Sequence, residues 1–244
     1  MKQSDVVSYE NNGHIAMITL QRPKKLNSFN KEMVEGLYSA WCRFEQDQEA
    51  RVAIITGEGK AFSAGLDLND FTPVSMAIPG IGVEVTKPVI ASINGYCIGV
   101  GLVIAMMSDI RIVSENAQFI YPEAKIGYTG GVGSLLAQYI PKGIALEMLL
   151  TGDGISAKRA YELGFANRVV PTDQVLEESI KMAQKISHNA PKVVKGLKKL
   201  ANNPNIMELT GMGNRIISDI GRSEDRVEGF QAFLNKRQPN FTDS

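Results

Sequence analysis

Apolar positions change their period several times along this 244-residue chain. Residues 6–10 and 15–20 are strand-like runs around Asn11-Asn12-Gly13, which predicts a β-hairpin. Met33, Leu37, Trp41 and Phe44 then recur at spacings of four, four and three, the core stripe of a helix with Asn30 as its cap and Glu32 in its first turn. Residues 51–56 and 89–93 are short β-branched runs and predict buried strands. Asn94-Gly95, a pair that tolerates positive φ, ends the second of them. From Gly99 a helical pattern (Val100, Val103, Ile104, Met107) runs to Ser108-Asp109. Strand patterns return at 110–113 and 117–120. Helices follow over 134–140 and onward to Leu150, then a short one capped by Ser156 and ending at Gly164, and a last strand over 166–170. Beyond Thr172 the pattern predicts helices only, over about 173–188, 191–202, 206–220 and 223–236. One boundary results, near residue 190: a core of residues 1–190 and a helical C-terminal region of residues 191–244.

Composition narrows the class of protein. Lys+Arg and Asp+Glu are equal at 26 each, so no overall field draws the chain to nucleic acid or to anionic lipid. Lys192, Lys195, Lys198 and Lys199 share a helix face, which reads as solvated because no aromatic residue interleaves with it. The only cysteines, Cys42 and Cys97, sit in apolar settings and predict free thiols in a reducing compartment. No apolar run reaches membrane-spanning length, and MKQSDVVSYE resembles neither a signal peptide nor a transit sequence. The expected location is the cytoplasm, without nucleic-acid or membrane partners and without a metal.

The candidate chemistry centres on residues 89–112. A strand, a glycine-containing bend and a helix leave free N–H groups at the helix start, backed by the positive end of the dipole, where negative charge is favoured. That is the chemistry of an oxyanion hole. Two other readings fit the same residues. The glycines could serve close packing alone, and Gly99-x-Gly101 begins a dinucleotide fingerprint whose third glycine is replaced by Ile104. Residues 61–68 are small and apolar enough to let backbone approach a ligand. Residues 69–87 read as a loop or short helix over a site. Glu123 follows a strand, either as a surface or capping group or as a catalytic carboxylate, and four glycines lie within 127–133.

Together these stretches resemble the crotonase superfamily, the enoyl-CoA hydratase/isomerase proteins. The matching runs are Arg22-Pro23-Lys24-Lys25-Leu26-Asn27, Ala61-Phe62-Ser63-Ala64-Gly65-Leu66-Asp67-Leu68 and Lys87-Pro88-Val89-Ile90-Ala91-Ser92-Ile93-Asn94-Gly95. Ala117-Gln118-Phe119 with Pro122-Glu123, Leu150-Thr151-Gly152, and Glu228-Gly229-Phe230 through Asn240-Phe241 match as well. The segment between Asp70 and Lys87 is shorter than the family pattern. The resemblance implies an α/β fold, a spiral of ββα units with a helical C-terminal region that forms a homotrimer, often a dimer of trimers. It implies that the Leu66 and Val100 amides grip the thioester oxygen of an acyl-CoA, and that Lys24, Leu26, Ala64, Gly65, Asp67, Leu68 and Gly99 line the path of the CoA and acyl group. Phe233 and Lys236 would approach the nucleotide end from the tail. No separate cofactor is implied, since coenzyme A is part of the substrate.

The sequence departs from the hydratase pattern at one decisive place. Hydratases of this family use two glutamates, and only the second is present, as Glu123; the first position holds Val103. Valine cannot orient or deprotonate water. A single carboxylate with an oxyanion hole suffices to move a double bond from the 3- to the 2-position, as in family isomerases that pair one glutamate with an apolar residue. Other isomerases carry their acid a few residues later, where this chain has Tyr128-Thr129-Gly130. The alternatives are a hydratase that recruits Asp70 or Glu84, or a non-catalytic acyl-CoA-binding oligomer.

Overall fold

The structure, a computed structural model, describes residues 5–202, 211, 215, 218, 219 and 221–243. The hairpin forms as β1 (Val7–Asn12) and β2 (Ile15–Leu20), antiparallel, and the turn is tighter than expected: Asn11 and Asn12 stay in the strand and Gly13, at φ 66°, turns the chain. Helix α1 (Lys31–Gln46) begins where Asn30 accepts the Met33 amide, and it buries Met33, Leu37, Trp41 and Phe44.

The chain then climbs in repeating turns. β3 (Val52–Gly57) leads to β4 (Ala61–Ser63); β5 (Val89–Ile93) leads to β6 (Tyr96–Ile98) and α2 (Val100–Met107); β7 (Ile110–Ser114) leads to β8 (Gln118–Ile120) and α3 (Glu123–Ile126). With β9 (Gly154–Ser156) and β10 (Arg168–Val170), the first strand of each turn joins a six-stranded sheet of order β1-β2-β3-β5-β7-β10, and the second joins a four-stranded sheet of order β4-β6-β8-β9. This is the expected spiral of ββα units. The three-residue strands β4, β6 and β9 (Gly154–Ser156) of the smaller sheet were not readable from hydrophobic period, because three residues establish none.

The corner between β5 and β6 is locked to the turn below it. Asn94 donates to the carbonyls of Gly57 and Gly59 at 2.8 and 2.7 Å, and a Cβ added to Gly95 would sit 2.1 Å from the Lys60 carbonyl oxygen. Only glycine allows the turns to stack so closely.

The remaining core elements are α4 (Leu136–Tyr139), entered by a 3₁₀ turn over Val132–Leu135, α5 (Lys142–Thr151), α6 (Ala157–Glu162), capped by Ser156, and β10 (Arg168–Val170). α7 (Val175–Ser187) covers the outer face of the larger sheet, packing Val175 and Ala183 over Val52, Ile54, Ile90 and Ile112. The C-terminal region holds α8 (Pro191–Ala201) and α9 (Glu224–Leu234); most of the helix expected over 206–220 lies outside the described residues.

Two members of the lysine row on α8 are engaged, while Lys199 is exposed as expected. Lys198 bonds Asp109 and the Lys87 carbonyl, both at 2.8 Å, and Lys195 pairs with Asp243 at 2.8 Å. No helix among the described residues is long and apolar enough to cross a membrane. Cys42 and Cys97 are both free thiols.

Candidate active site

Three adjacent parallel strands of the smaller sheet deliver the candidate residues at their C-terminal ends, the usual place for ligands in parallel sheets. β4 pairs with β6 at Ser63↔Cys97, and β6 with β8 at Ile98↔Ile120. Three residues beyond Ser63 lies Leu66, two beyond Ile98 lies Val100, and three beyond Ile120 lies Glu123. Strand pairing therefore brings together residues that are far apart in the sequence.

The approach of the first two segments depends on glycine. Gly65 and Gly99 have φ of 89° and 53°, and a Cβ added to either would lie 3.7 Å from the other's Cα. A Cβ on Gly101 would meet the Ser63 Cβ at 2.9 Å, so α2 sits directly on β4. The Gly65 carbonyl accepts from the Phe29 amide at 2.7 Å, and the Asp67 amide donates to the Phe29 carbonyl at 2.9 Å. In an extended segment, alternate amides point to opposite sides, which turns the Leu66 N–H away from Phe29. Val100 is the first residue of α2, where the N–H has no intrahelical acceptor. No acceptor among the described residues takes either amide.

Glu123 opens α3 beside these segments. It is 7% exposed, and a Cβ on Gly99 would come within 3.0 Å of its Oε1. Its Oε2 is buried without a hydrogen-bond partner among the described residues. Burial, which disfavours the charged form, pushes its pKa from the usual 4.5 to about 7. A carboxyl poised near neutrality can both take and return a proton.

A cavity of about 190 Å³ joins these groups: Leu66, Val100 and Glu123 line it, with Val74, Ile78 and Val103 among its apolar walls. A second space of about 450 Å³, walled by Ala124, Thr129, Gly131 and Leu149, shares Tyr121, Glu123 and Tyr128 with the first. The segment after Asp70 forms part of the inner wall as expected, and the Trp41 indole holds it in place by donating to the Ala77 carbonyl at 3.0 Å.

Glu123 is the only carboxylate among the described residues lining either space. Asp70 lines neither, and Glu84 opens onto a separate cavity beside the lysines of α8. Val103, at the position where the resemblance implies a hydratase's first glutamate, forms part of the inner wall.

The other candidate residues are distributed as follows. Lys24 belongs to a 3₁₀ turn, Pro23–Lys25, and Leu26 caps it at φ 49°, with its carbonyl accepting from the Ala64 amide at 2.8 Å. The Asp67 carboxylate is taken by Arg22 at 3.1 Å and by the Asn69 amide at 3.2 Å; the Arg22 hydrogen bond holds its pKa below the usual range. Leu68 is exposed. Phe233 lies on α9 and Lys236 just after it, and neither lines the two spaces at Glu123.

The sequence reading did not place Tyr121 or Phe71 at the site, and it met Tyr128 only as the residue standing where other isomerases carry an acid. Tyr121 is buried under Gly133 and shares a hydrogen bond of 3.3 Å with Thr129, while Tyr128 meets Phe71 edge-on with ring centres 5.1 Å apart. Their only signal was an aromatic residue beside Pro122-Glu123 and another within the glycine-rich stretch.

Comparison with known proteins agrees with this geometry. The profile of the family described as Enoyl-CoA hydratase/isomerase matches residues 10–79 and 81–244. A mitochondrial enoyl-CoA hydratase of Pongo abelii is 34% identical over 95% of this chain and 85% of its own. The (E)-benzylidenesuccinyl-CoA hydratase of Thauera aromatica is 35% identical over 96% of this chain and 98% of its own. The crystal structure of an enoyl-CoA hydratase from Mycobacterium tuberculosis superposes with a TM-score of 0.92 at 33% identity, covering 98% of this chain and 99% of that one. With this match along nearly its whole length, the chain belongs to the enoyl-CoA hydratase/isomerase family of the crotonase superfamily and is one of its acyl-CoA enzymes.

Proposed function

We propose that this protein is a cytoplasmic enoyl-CoA isomerase that moves a 3,4 double bond into conjugation with the thioester. The Leu66 and Val100 amides hold the thioester oxygen. The Glu123 carboxylate removes a proton from C2, and the electron pair spreads over a dienolate whose negative oxygen faces the two N–H groups. The protonated Glu123 then returns the proton to C4, which leaves the bond between C2 and C3 and restores the carboxylate. No atom is gained or lost.

One observation carries this reading: Glu123 is the single carboxylate, among the described residues, of a mostly apolar cavity, with Val103 and Val100 beside it. Among the described residues no second carboxylate lines that cavity to orient and deprotonate water, and its apolar walls help to exclude it. The hydratase reading is favoured by the names of the relatives, hydratases and a dehydratase. The two reactions separate in one experiment. The protein is given 3-hexenoyl-CoA and, separately, 2-hexenoyl-CoA in ¹⁸O-labelled water. Formation of 2-hexenoyl-CoA from the first, without label entering product from the second, is the expected result. Rapid label incorporation would make the protein a hydratase, and absence of any α-proton exchange in deuterated water would make it a binding protein.

The expected assembly is a homotrimer or a dimer of trimers, with Phe233 and Lys236 reaching the nucleotide end of CoA, commonly across a subunit boundary. In support, α9 exposes Val227, Phe230, Phe233 and Leu234, with Phe233 83% exposed. A monomer rarely leaves so contiguous an apolar face to water. Sedimentation should give three or six times the 26.6 kDa chain mass; a monomer at micromolar concentration would overturn this.

A further inference from the structure

The two tyrosines shared by the inner and outer spaces at Glu123 are held very differently. Tyr121 is 5% exposed, its hydroxyl is bonded to Thr129, and a Cβ on Gly133 would overlap its ring at 2.0 Å. Tyr121 is fixed by its packing. Tyr128 is 43% exposed, and its hydroxyl has no hydrogen-bond partner among the described residues. Its backbone sits between Gly127 at φ 70° and Gly130-Gly131, the latter at φ 81°. The ring is held by its edge-on contact with Phe71, which is itself 55% exposed and comes from the loop on the opposite rim. An aromatic pair of this kind contributes only about 0.5–1.5 kcal/mol beyond its buried area.

We propose that Tyr128, braced by Phe71, is the specificity-determining wall that limits the acyl chain to short-chain thioesters and divides the inner cavity from the outer one. This rests on the reading above that the thioester oxygen lies at the Leu66 and Val100 amides, which directs the acyl chain into the inner space. The inner space of about 190 Å³ is less than half the outer one of about 450 Å³ and suits a short chain. A longer chain must displace the Tyr128 ring. Behind that ring lies the outer space of about 450 Å³, so removing it more than triples the room.

The test uses saturated acyl-CoA esters from butanoyl to decanoyl, whose binding to the whole protein is measured by calorimetry. In the wild type, affinity should stop rising at about hexanoyl-CoA. In Tyr128→Ala it should keep rising, by roughly fourfold for each further methylene that finds room, so that decanoyl-CoA binds at least tenfold tighter than to wild type. Tyr128→Phe should match the wild type, because the ring rather than the hydroxyl forms the wall. Phe71→Ala should fall between them. A wild type whose affinity rises steadily through decanoyl-CoA, or a Tyr128→Ala profile superimposable on wild type, would overturn the proposal. These esters carry no double bond, so a failure of the isomerase reading alters turnover and leaves this profile untouched; absence of binding by every ester would remove both.

Discussion

Replacing Glu123 with glutamine should lower isomerase turnover by about 10²–10⁴-fold while acyl-CoA binding stays within a fewfold, because general acid–base transfer is worth that much and the side-chain volume is unchanged. Steady-state rates with 3-hexenoyl-CoA, set beside calorimetric binding of hexanoyl-CoA, read both quantities. Undiminished turnover would remove Glu123 from the mechanism. The pH dependence follows from the buried carboxyl. Its pKa of about 7 means that the base form accumulates as pH rises, so kcat/KM should climb up to about pH 7 and level off above it, and the glutamine variant should lose this limb.

The same group makes an opposite prediction for stability. Its folded-state pKa lies above the ordinary 4.5, so between those values the folded protein binds more protons than the unfolded chain. Stability therefore falls as pH rises through that window, and the full cost is present above it. Glu123→Gln should be more stable than wild type at pH 8, on the order of 1–2 kcal/mol after allowance for solvent screening, and no more stable at pH 4. Denaturation midpoints at the two pH values measure this. A stabilised, inactive variant is the signature of a carboxyl held for chemistry at a cost to the fold.

Val100→Pro is the second large effect. The proposed donor is a main-chain N–H, and proline is the residue that deletes it. Because Val100 is the first residue of α2, its N–H serves no helical hydrogen bond and proline is well tolerated there. Loss of one such donor typically costs about 10²–10³ in kcat, roughly 2.7–4 kcal/mol. Val100→Ala keeps the N–H and should stay within a fewfold of wild type. If the proline variant melts close to wild type and turns over equally well, the α2 N-terminus plays no part in stabilising the enolate.

Much of the fold was legible because the larger sheet and the long helices carry their own periodicity. The runs at 52–57, 89–93 and 110–114 are rich in β-branched apolar residues, as strands covered on both faces tend to be. Helix α1 shows its stripe and its cap. The smaller sheet showed itself only at 117–120, its β8; Ala61–Ser63, Tyr96–Ile98 and Gly154–Ser156 are too short to show a period. Their pairing is set by glycine corners that let one turn of the spiral rest on the next. The lysines of α8 misled for a related reason, since a row of like charges reads as solvated until its partners, Asp109 and Asp243, are brought in from distant segments.

For the site, the sequence alone determined the chemical inventory. It supplied two glycine-flanked bends, one carboxylate at 123 and valine at 103, and those identities limit which reactions are available. Only the tertiary structure decided that Leu66, Val100 and Glu123, successively 34 and 23 residues apart along the chain, converge on one cavity. It also decided that Asp70 and Glu84 stay outside that cavity, that burial brings Glu123 to neutrality, and that Tyr128 stands between two spaces. The physical reason is the same in each case. Proton affinity, cavity volume and donor direction depend on what surrounds a group in space, and in a spiral fold those neighbours come from other turns of the chain.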